Sequence, residues 1–265
     1  MKSVDIAFSP CPNDTFIFHA MLHGLVDGRG YEFKPLIHDV ETLNRLAFEG
    51  STAVTKLSFY SYLLLKERYA MLSSGAALGH GCGPLLVARP GAKNTGRMSI
   101  AVPGMHTTAY LLLRLWFPDA ADVTERPFDR IIAEVADGKF DAGLIIHEGR
   151  FVYMDSGLVR LVDLGEWWEA ETGMPIPLGC IAMKRSCGEG MKTDVEGILR
   201  ESVVYARANS GASRVFVKRY AQEMDDRVID EHIGLYVNDY TVDLGEKGAA
   251  AIERLEGMAL RAGLL

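Results

Sequence analysis

The strongest constraint on this chain is an alternation of short apolar runs and helical patterns that begins at its first residues. Residues 4–8 read as an apolar strand, and Asn13 and Asp14 offer an N-cap to a helical run over 15–25. Residues 31–38 alternate as a strand, and 40–48 read as a helix stopped by Gly50. A third strand over 52–57 leads into a helix from about 58 to 69. Strands that alternate with helices cannot pair through tight hairpins, so this order predicts a mostly parallel sheet with helices on both faces.

The theme restarts in the middle of the chain. Residues 98–102 form a strand, and His106, Thr107 and Thr108 cap an apolar helix over 109–116. A helix over 127–136 and a strand over 142–146 follow, the latter ending at His147, with further strands expected at 158–161 and 181–184. From Asp194 the spacing is helical, over 195–208, 213–224 and 246–262. Glycine- and proline-rich stretches at 75–89 and 173–179 are where the chain would cross between two lobes. Residues 1–88 with 181–265 are expected to form one lobe, and 89–180 the other.

Bulk properties exclude several functions. With 265 residues the chain can bury a sufficient core without disulfide staples. A net charge of -7 argues against nucleic-acid or anionic-membrane partners, which require a basic patch. The four cysteines form no C-x-x-C pair, and the N-terminus carries no apolar leader, so reduced thiols in a cytoplasmic protein are expected. No P-loop, dinucleotide turn, nucleophile elbow or H-E-x-x-H occurs, so neither a cofactor nor a metal is expected.

Open α/β sheets bind ligands beyond the carboxyl ends of their strands. Three such ends lead into helix starts: Asn13 with Asp14, Lys56 with Ser58, and Thr107 with Thr108. Helix N-termini, hydroxyls and a lysine together suit a small carboxylate. His147 follows a buried-looking strand, where an imidazole can act as general base. Each has a plainer reading: a capped turn, a snorkelling lysine, an ordinary threonine cap, a structural histidine. His19 and His23, four apart on a helix, read as structural, and Trp167 and Trp168 either pack or cover an aromatic ligand.

Taken together, these segments resemble a known family. Ser9-Pro10-Cys11-Pro12-Asn13-Asp14-Thr15-Phe16, the segments 39–45 and 55–58, 106–110, 143–148 and Asp163-Leu164-Gly165 with the paired tryptophans are similar to the 1,4-dihydroxy-6-naphthoate synthases, in the same order. The resemblance implies a two-lobed, type II periplasmic-binding-protein-like α/β fold. It also implies a lyase of menaquinone biosynthesis that acts on cyclic dehypoxanthinyl futalosine without organic cofactor or metal. By position it makes His147 the proton acceptor. Lys56, Leu57 and Ser58 would contact substrate, as would Thr108 with Ala109. Chorismate dehydratase and a non-catalytic solute-binding protein are the rival readings.

Overall fold

The structure is a computed structural model that describes residues 1–92, 98–221 and 225–265. The first part of the chain runs β1 (Lys2–Phe8), α1 (Pro12–Leu22), β2 (Tyr31–Ile37), α2 (Val40–Glu49), β3 (Val54–Ser58), α3 (Phe59–Leu65), β4 (Tyr69–Met71) and β5 (Ala77–Gly79). After a crossing come β6 (Leu85–Ala88), β7 (Ser99–Val102), α4 (Thr108–Trp116), β8 (Asp122–Glu125), α5 (Phe128–Ala136), β9 (Ala142–Ile145), α6 (Gly149–Val152), β10 (Val159–Asp163) and α7 (Leu164–Thr172). The chain returns through β11 (Ile176–Lys184) and ends in α8 (Glu189–Ala208), α9 (Arg214–Tyr220), α10 (Asp226–Tyr236), α11 (Asp239–Val242) and α12 (Gly245–Arg261).

Two sheets result. One is ordered β2-β1-β3-β11-β4, with β5 also pairing to β11; the other is ordered β10-β6-β9-β7-β8. In the first, β1 lies parallel between β2 and β3, and β11 enters antiparallel to β3. In the second, β7 is parallel to β8 and β9, and β6 is antiparallel to β9 and β10. Apolar side chains cover both faces of each sheet. One cluster, containing Leu57, Leu86, Leu112, Trp168 and Leu255, joins the two sheets. A second packs α1 and α8 on the first sheet, and a third packs α5 on the second.

Several sequence expectations are corrected. Leu85–Ala88 was placed with the first lobe but hydrogen-bonds in the second sheet, and residues 176–180 were placed with the second lobe but run in the first sheet. β11 starts at Ile176 despite its proline, because its register slips between Pro177 and Gly179 and spares the missing N–H. The helix expected from 58 to 69 stops at Leu65 because Tyr69–Met71 is needed to pair with β11. The first helix starts at Pro12, with Cys11 as its N-cap, so Asn13 and Asp14 lie inside its first turn. Helix α10 was not anticipated. Residues 222–224, the end of the helix expected over 213–224, lie outside the described residues.

The crossing between the sheets is tight at Gly83, where a Cβ would sit 2.3 Å from the Gly165 backbone. Gly234, exposed in α10, has nothing within 4 Å of its Cβ position. Gly83→Ala should therefore destabilise by about 1–3 kcal/mol through overpacking, whereas Gly234→Ala should stabilise by about 0.5–1 kcal/mol. Urea unfolding of both variants would check this; equal effects would mean that the close approach is relaxed in solution.

Candidate active site

Strand ends and helix starts of both sheets converge on a cleft of about 650 Å³, the open solvent at its mouth included. From the first sheet come Ser9 after β1, Asn13 and Asp14 in the first turn of α1, and Lys56 and Ser58 at the end of β3. The second sheet adds Thr107, Thr108 and Ala109 at the start of α4, and His147 just beyond β9. The structure thus brings together every site residue expected from sequence except Leu57. Strand alternation explains the exception: Lys56 and Ser58 face the cavity, while Leu57 faces the other way into the core and is fully buried.

From sequence, Lys56 reads either as a partner for a substrate carboxylate or as a lysine snorkelling to the surface. Instead its Nζ lies 2.7 Å from Asp14 Oδ1, with both groups buried. Asp14 also accepts from Ser9 N (3.2 Å), Ser9 Oγ (2.7 Å) and Asn13 Nδ2 (2.9 Å), so this buried carboxylate has a full set of donors. The lysine stem has room because Gly179 stands opposite Ser58 in β11; a Cβ there would lie 3.0 Å from Lys56 Cε. One ammonium hydrogen serves Asp14, and the others remain for a ligand.

The threonines also do structural work. Thr107 is the N-cap of α4: its Oγ1 accepts from Tyr110 N (3.1 Å) and donates to Gly104 O (2.8 Å). Thr108 Oγ1 donates to Leu178 O at 2.7 Å, tying α4 to β11. Both hydroxyl protons are therefore committed, and what α4 offers the cavity is the backbone N–H groups of its first turn and the positive end of its dipole. The Ser58 hydroxyl accepts from Asn44 Nδ2 at 3.1 Å, which leaves its own proton to a ligand.

The two sheets are latched beside the cavity. His106 Nδ1 donates to Glu41 Oε1 at 2.7 Å, His106 N donates to Glu41 Oε2 at 3.2 Å, and Arg45 pairs with Glu125. Gly104 permits this, since a Cβ on it would collide with the Glu41 side chain.

His147 has a left-handed backbone (φ 54°), which turns its ring at the strand end. The ring packs edge-on to Phe128 with centroids 5.2 Å apart. Its Nε2 is buried and has no hydrogen-bond partner among the described residues. Burial lowers the pKa of the imidazole to about 4; nearby Lys56 adds to this, and Asp14 and Asp39 oppose it. The ring is therefore neutral near pH 7. Among the described residues, Cys11, His147 and Glu148 bring potential metal donors within 4.8 Å of one another. Burial, then Glu148 and Asp14, push the Cys11 thiol well up.

Comparison with known proteins places this geometry. Residues 4–261 match a family model described as menaquinone biosynthesis. The chain belongs to this menaquinone-biosynthesis family. A protein of Thermus thermophilus named 1,4-dihydroxy-6-naphthoate synthase is 47% identical over 264 residues, covering 100% of this chain and 96% of that protein. One of the same name from Streptomyces coelicolor is 44% identical over 268 residues, covering 99% and 95%. A crystal structure of a protein from Archaeoglobus fulgidus superposes with a TM-score of 0.93 at 39% identity, covering 99% of this chain and 98% of that one. A Candida albicans protein described as having the generic periplasmic-binding-protein fold superposes with a TM-score of 0.71 at 11% identity, covering 100% and 91%. The fold is thus periplasmic-binding-protein-like, as the sequence resemblance implied.

In this member of the menaquinone-biosynthesis family, several cavity groups had escaped sequence reading. Tyr236 lines the cavity from α10, and its hydroxyl donates to Cys82 O at 3.3 Å. His232, one turn earlier, is fully buried behind Asn13. The apolar-face spacing of Val228, Ile229, His232 and Tyr236 was the available signal. Trp168 is fully buried in the core with Nε1 donating to Pro175 O at 3.1 Å, which is the packing alternative. His19 and His23 pack tilted against each other with centroids 4.4 Å apart beside Phe216.

Asp14→Asn would leave the Lys56 ammonium buried without its counter-charge and should cost about 3–5 kcal/mol. Asp14→Asn combined with Lys56→Met, which removes the charge yet keeps an oxygen to accept from Ser9, should recover much of that loss. Denaturant unfolding of the single and double variants is the check; a harmless single variant would show that the pair opens to water.

Proposed function

We propose that this cavity converts cyclic dehypoxanthinyl futalosine to 1,4-dihydroxy-6-naphthoate in menaquinone biosynthesis, as a carbon–carbon lyase with His147 as general base. The observation that carries the reading is His147 Nε2, a buried nitrogen without a hydrogen-bond partner among the described residues, on a neutral imidazole facing a cavity otherwise rich in donors. The name shared by relatives at 44–47% identity over nearly the whole chain supports the product and pathway. Among the described residues no helix is long and apolar enough to cross a membrane; a cytoplasmic setting fits a biosynthetic step of this kind.

The residues divide the work as follows. The substrate carboxylate sits at the start of α4, against the amides of Thr108 and Ala109, where the helix dipole favours an anion. Lys56, the Ser58 hydroxyl and the Asn13 amide group hold other oxygens from the first-sheet side. His147 takes a proton from a substrate hydroxyl. The electron pair left behind forms a carbonyl as the carbon–carbon bond to the sugar-derived ring breaks. The pair from that bond enters the bicycle, and aromatisation drives the fragmentation. Donors already fixed where negative charge develops need no reorganisation during the step. The reading uses no cofactor and needs only a small carboxylate as partner.

Wild-type protein incubated with cyclic dehypoxanthinyl futalosine should yield 1,4-dihydroxy-6-naphthoate by liquid chromatography with mass detection. His147→Asn should fall by about 10²–10⁴-fold in turnover. No product from folded wild-type protein would sink the reading; dehydration of chorismate, or tight binding without turnover, would then identify the rival. The pH profile carries a sign. A base whose folded pKa is lowered to about 4 stays competent down to mildly acidic pH. The value of kcat/KM, which reports the free enzyme, should therefore hold level through pH 6 and fall only as pH approaches 4. An acid limb centred at the ordinary imidazole value would refute His147 as the group responsible.

A further inference from the structure

His232 lies on α10, fully buried and outside the cavity wall, yet hydrogen bonds connect it to the cavity floor. Its Nε2 is 2.9 Å from Asn13 Oδ1. The direction of that bond follows from the next one. Asn13 Nδ2 is 2.9 Å from Asp14 Oδ1, and a carboxylate can only accept. The Asn13 amide is therefore turned with its NH₂ toward Asp14 and its oxygen toward His232. An amide oxygen also only accepts, so the proton of this second bond sits on His232 Nε2. A neutral imidazole carries one N–H, which leaves Nδ1 bare, and Nδ1 is buried without a hydrogen-bond partner among the described residues.

We propose that His232 is a positioning residue of the active site: a neutral imidazole held as the Nε2–H tautomer, it fixes the Asn13 amide and, through it, the Asp14–Lys56 pair. The inference rests on the reading of the cavity given above and deepens it. With its oxygen capped by His232, Asn13 presents only N–H to the cavity. Lys56, the Ser58 proton and the α4 amides are donors too, so the wall that receives the substrate's oxygens has one polarity. Without the cap, the Asn13 oxygen is free to turn toward a bound carboxylate and repel it. The His232 ring also lies 6.3 Å from that of His147 at an interplanar angle of 24°, and it packs tilted against Tyr236 at 4.6 Å. A proton on either histidine opposes one on the other, so a neutral His232 leaves His147 free to accept the substrate's proton.

The test uses two variants and one measurement on the wild type. His232→Gln can still present an N–H to Asn13, and His232→Leu cannot. The leucine variant should lose about tenfold in kcat/KM, the scale of one functional hydrogen bond, and glutamine should restore most of it. Equal activity of the two would overturn the proposal, since a purely space-filling role favours the apolar side chain. Nitrogen-15 NMR of histidine-labelled wild type reads the tautomer without substrate: a proton on Nε2 supports the proposal, and a proton on Nδ1 overturns it even if neither variant folds. Because that reading needs no turnover, it stands apart from failure of the lyase assay, which would remove the proposed reaction and leave the tautomer and the Asn13 bond to be judged on the spectrum.

Discussion

The site depends on satisfying one buried carboxylate. Asp14 is fully buried, and an isolated charge there would be strongly unfavourable. It is stable because Ser9, Asn13 and Lys56 all donate to it. Each donor comes from a different piece of local structure: the end of β1, the first turn of α1, and the end of β3. The ion pair therefore fixes three elements of the first sheet against one another at the ligand end. It also explains why a lysine occupies a strand that is otherwise buried, and why glycine stands opposite Ser58 on β11, where a larger residue would crowd the lysine stem.

The second constraint is that two sheets must meet with polar groups at their interface and leave few unpaired. Asn44 shows how this is done. Fully buried, it accepts from Ser58 N at 3.0 Å and donates to Ser58 Oγ and to His106 O at 3.1 and 3.3 Å, so one amide serves both sides of the cleft. Ser61 Oγ adds a bond to His106 O at 2.9 Å, and Thr108 adds one to Leu178. Glu41 and Arg45, one turn apart on α2, reach His106 and Glu125 of the second sheet. These bonds are numerous and individually modest in net strength.

What could be read from the sequence follows the same logic. Strand–helix alternation, the Gly50 stop and the Thr107 cap depend on neighbours in the chain, and they appear where the pattern put them. The strand ends carrying Lys56, Ser58 and His147 follow from topology, because parallel strands direct their carboxyl ends to one side. Partner choice was not legible. That Lys56 meets Asp14, forty-two residues away, depends on the packing of α1 over β3, and no local pattern encodes it. Nor was α10 legible: it has an acidic, polar outer face and only four buried residues, so its signal was weak, although it delivers His232 and Tyr236. Leu57 lies between two cavity-facing residues, and only the two-residue period of a strand turns it inward to the core.

The polar groups of this cavity are mostly donors, which suit an anion; the proposed catalysis requires in addition an acceptor that the protein itself does not satisfy. The base proposed for it is His147, whose buried Nε2 has no hydrogen-bond partner among the described residues. His147 adopts a left-handed conformation that is uncommon for a residue other than glycine, immediately after a strand held on both sides by β6 and β7. Had a carbonyl or carboxylate oriented Nε2, the lone pair would have been exchanged for a donor role. Contacts with Phe128 and the parallel His232 ring orient the imidazole while leaving that nitrogen without a protein partner among the described residues. Burial, which makes the ring a weak base without ligand, also strengthens its response to an entering anion, because charge interactions grow as water is displaced. Under the proposed function, substrate binding and base activation would be coupled, because a carboxylate held by those donors would raise the affinity of His147 for a proton.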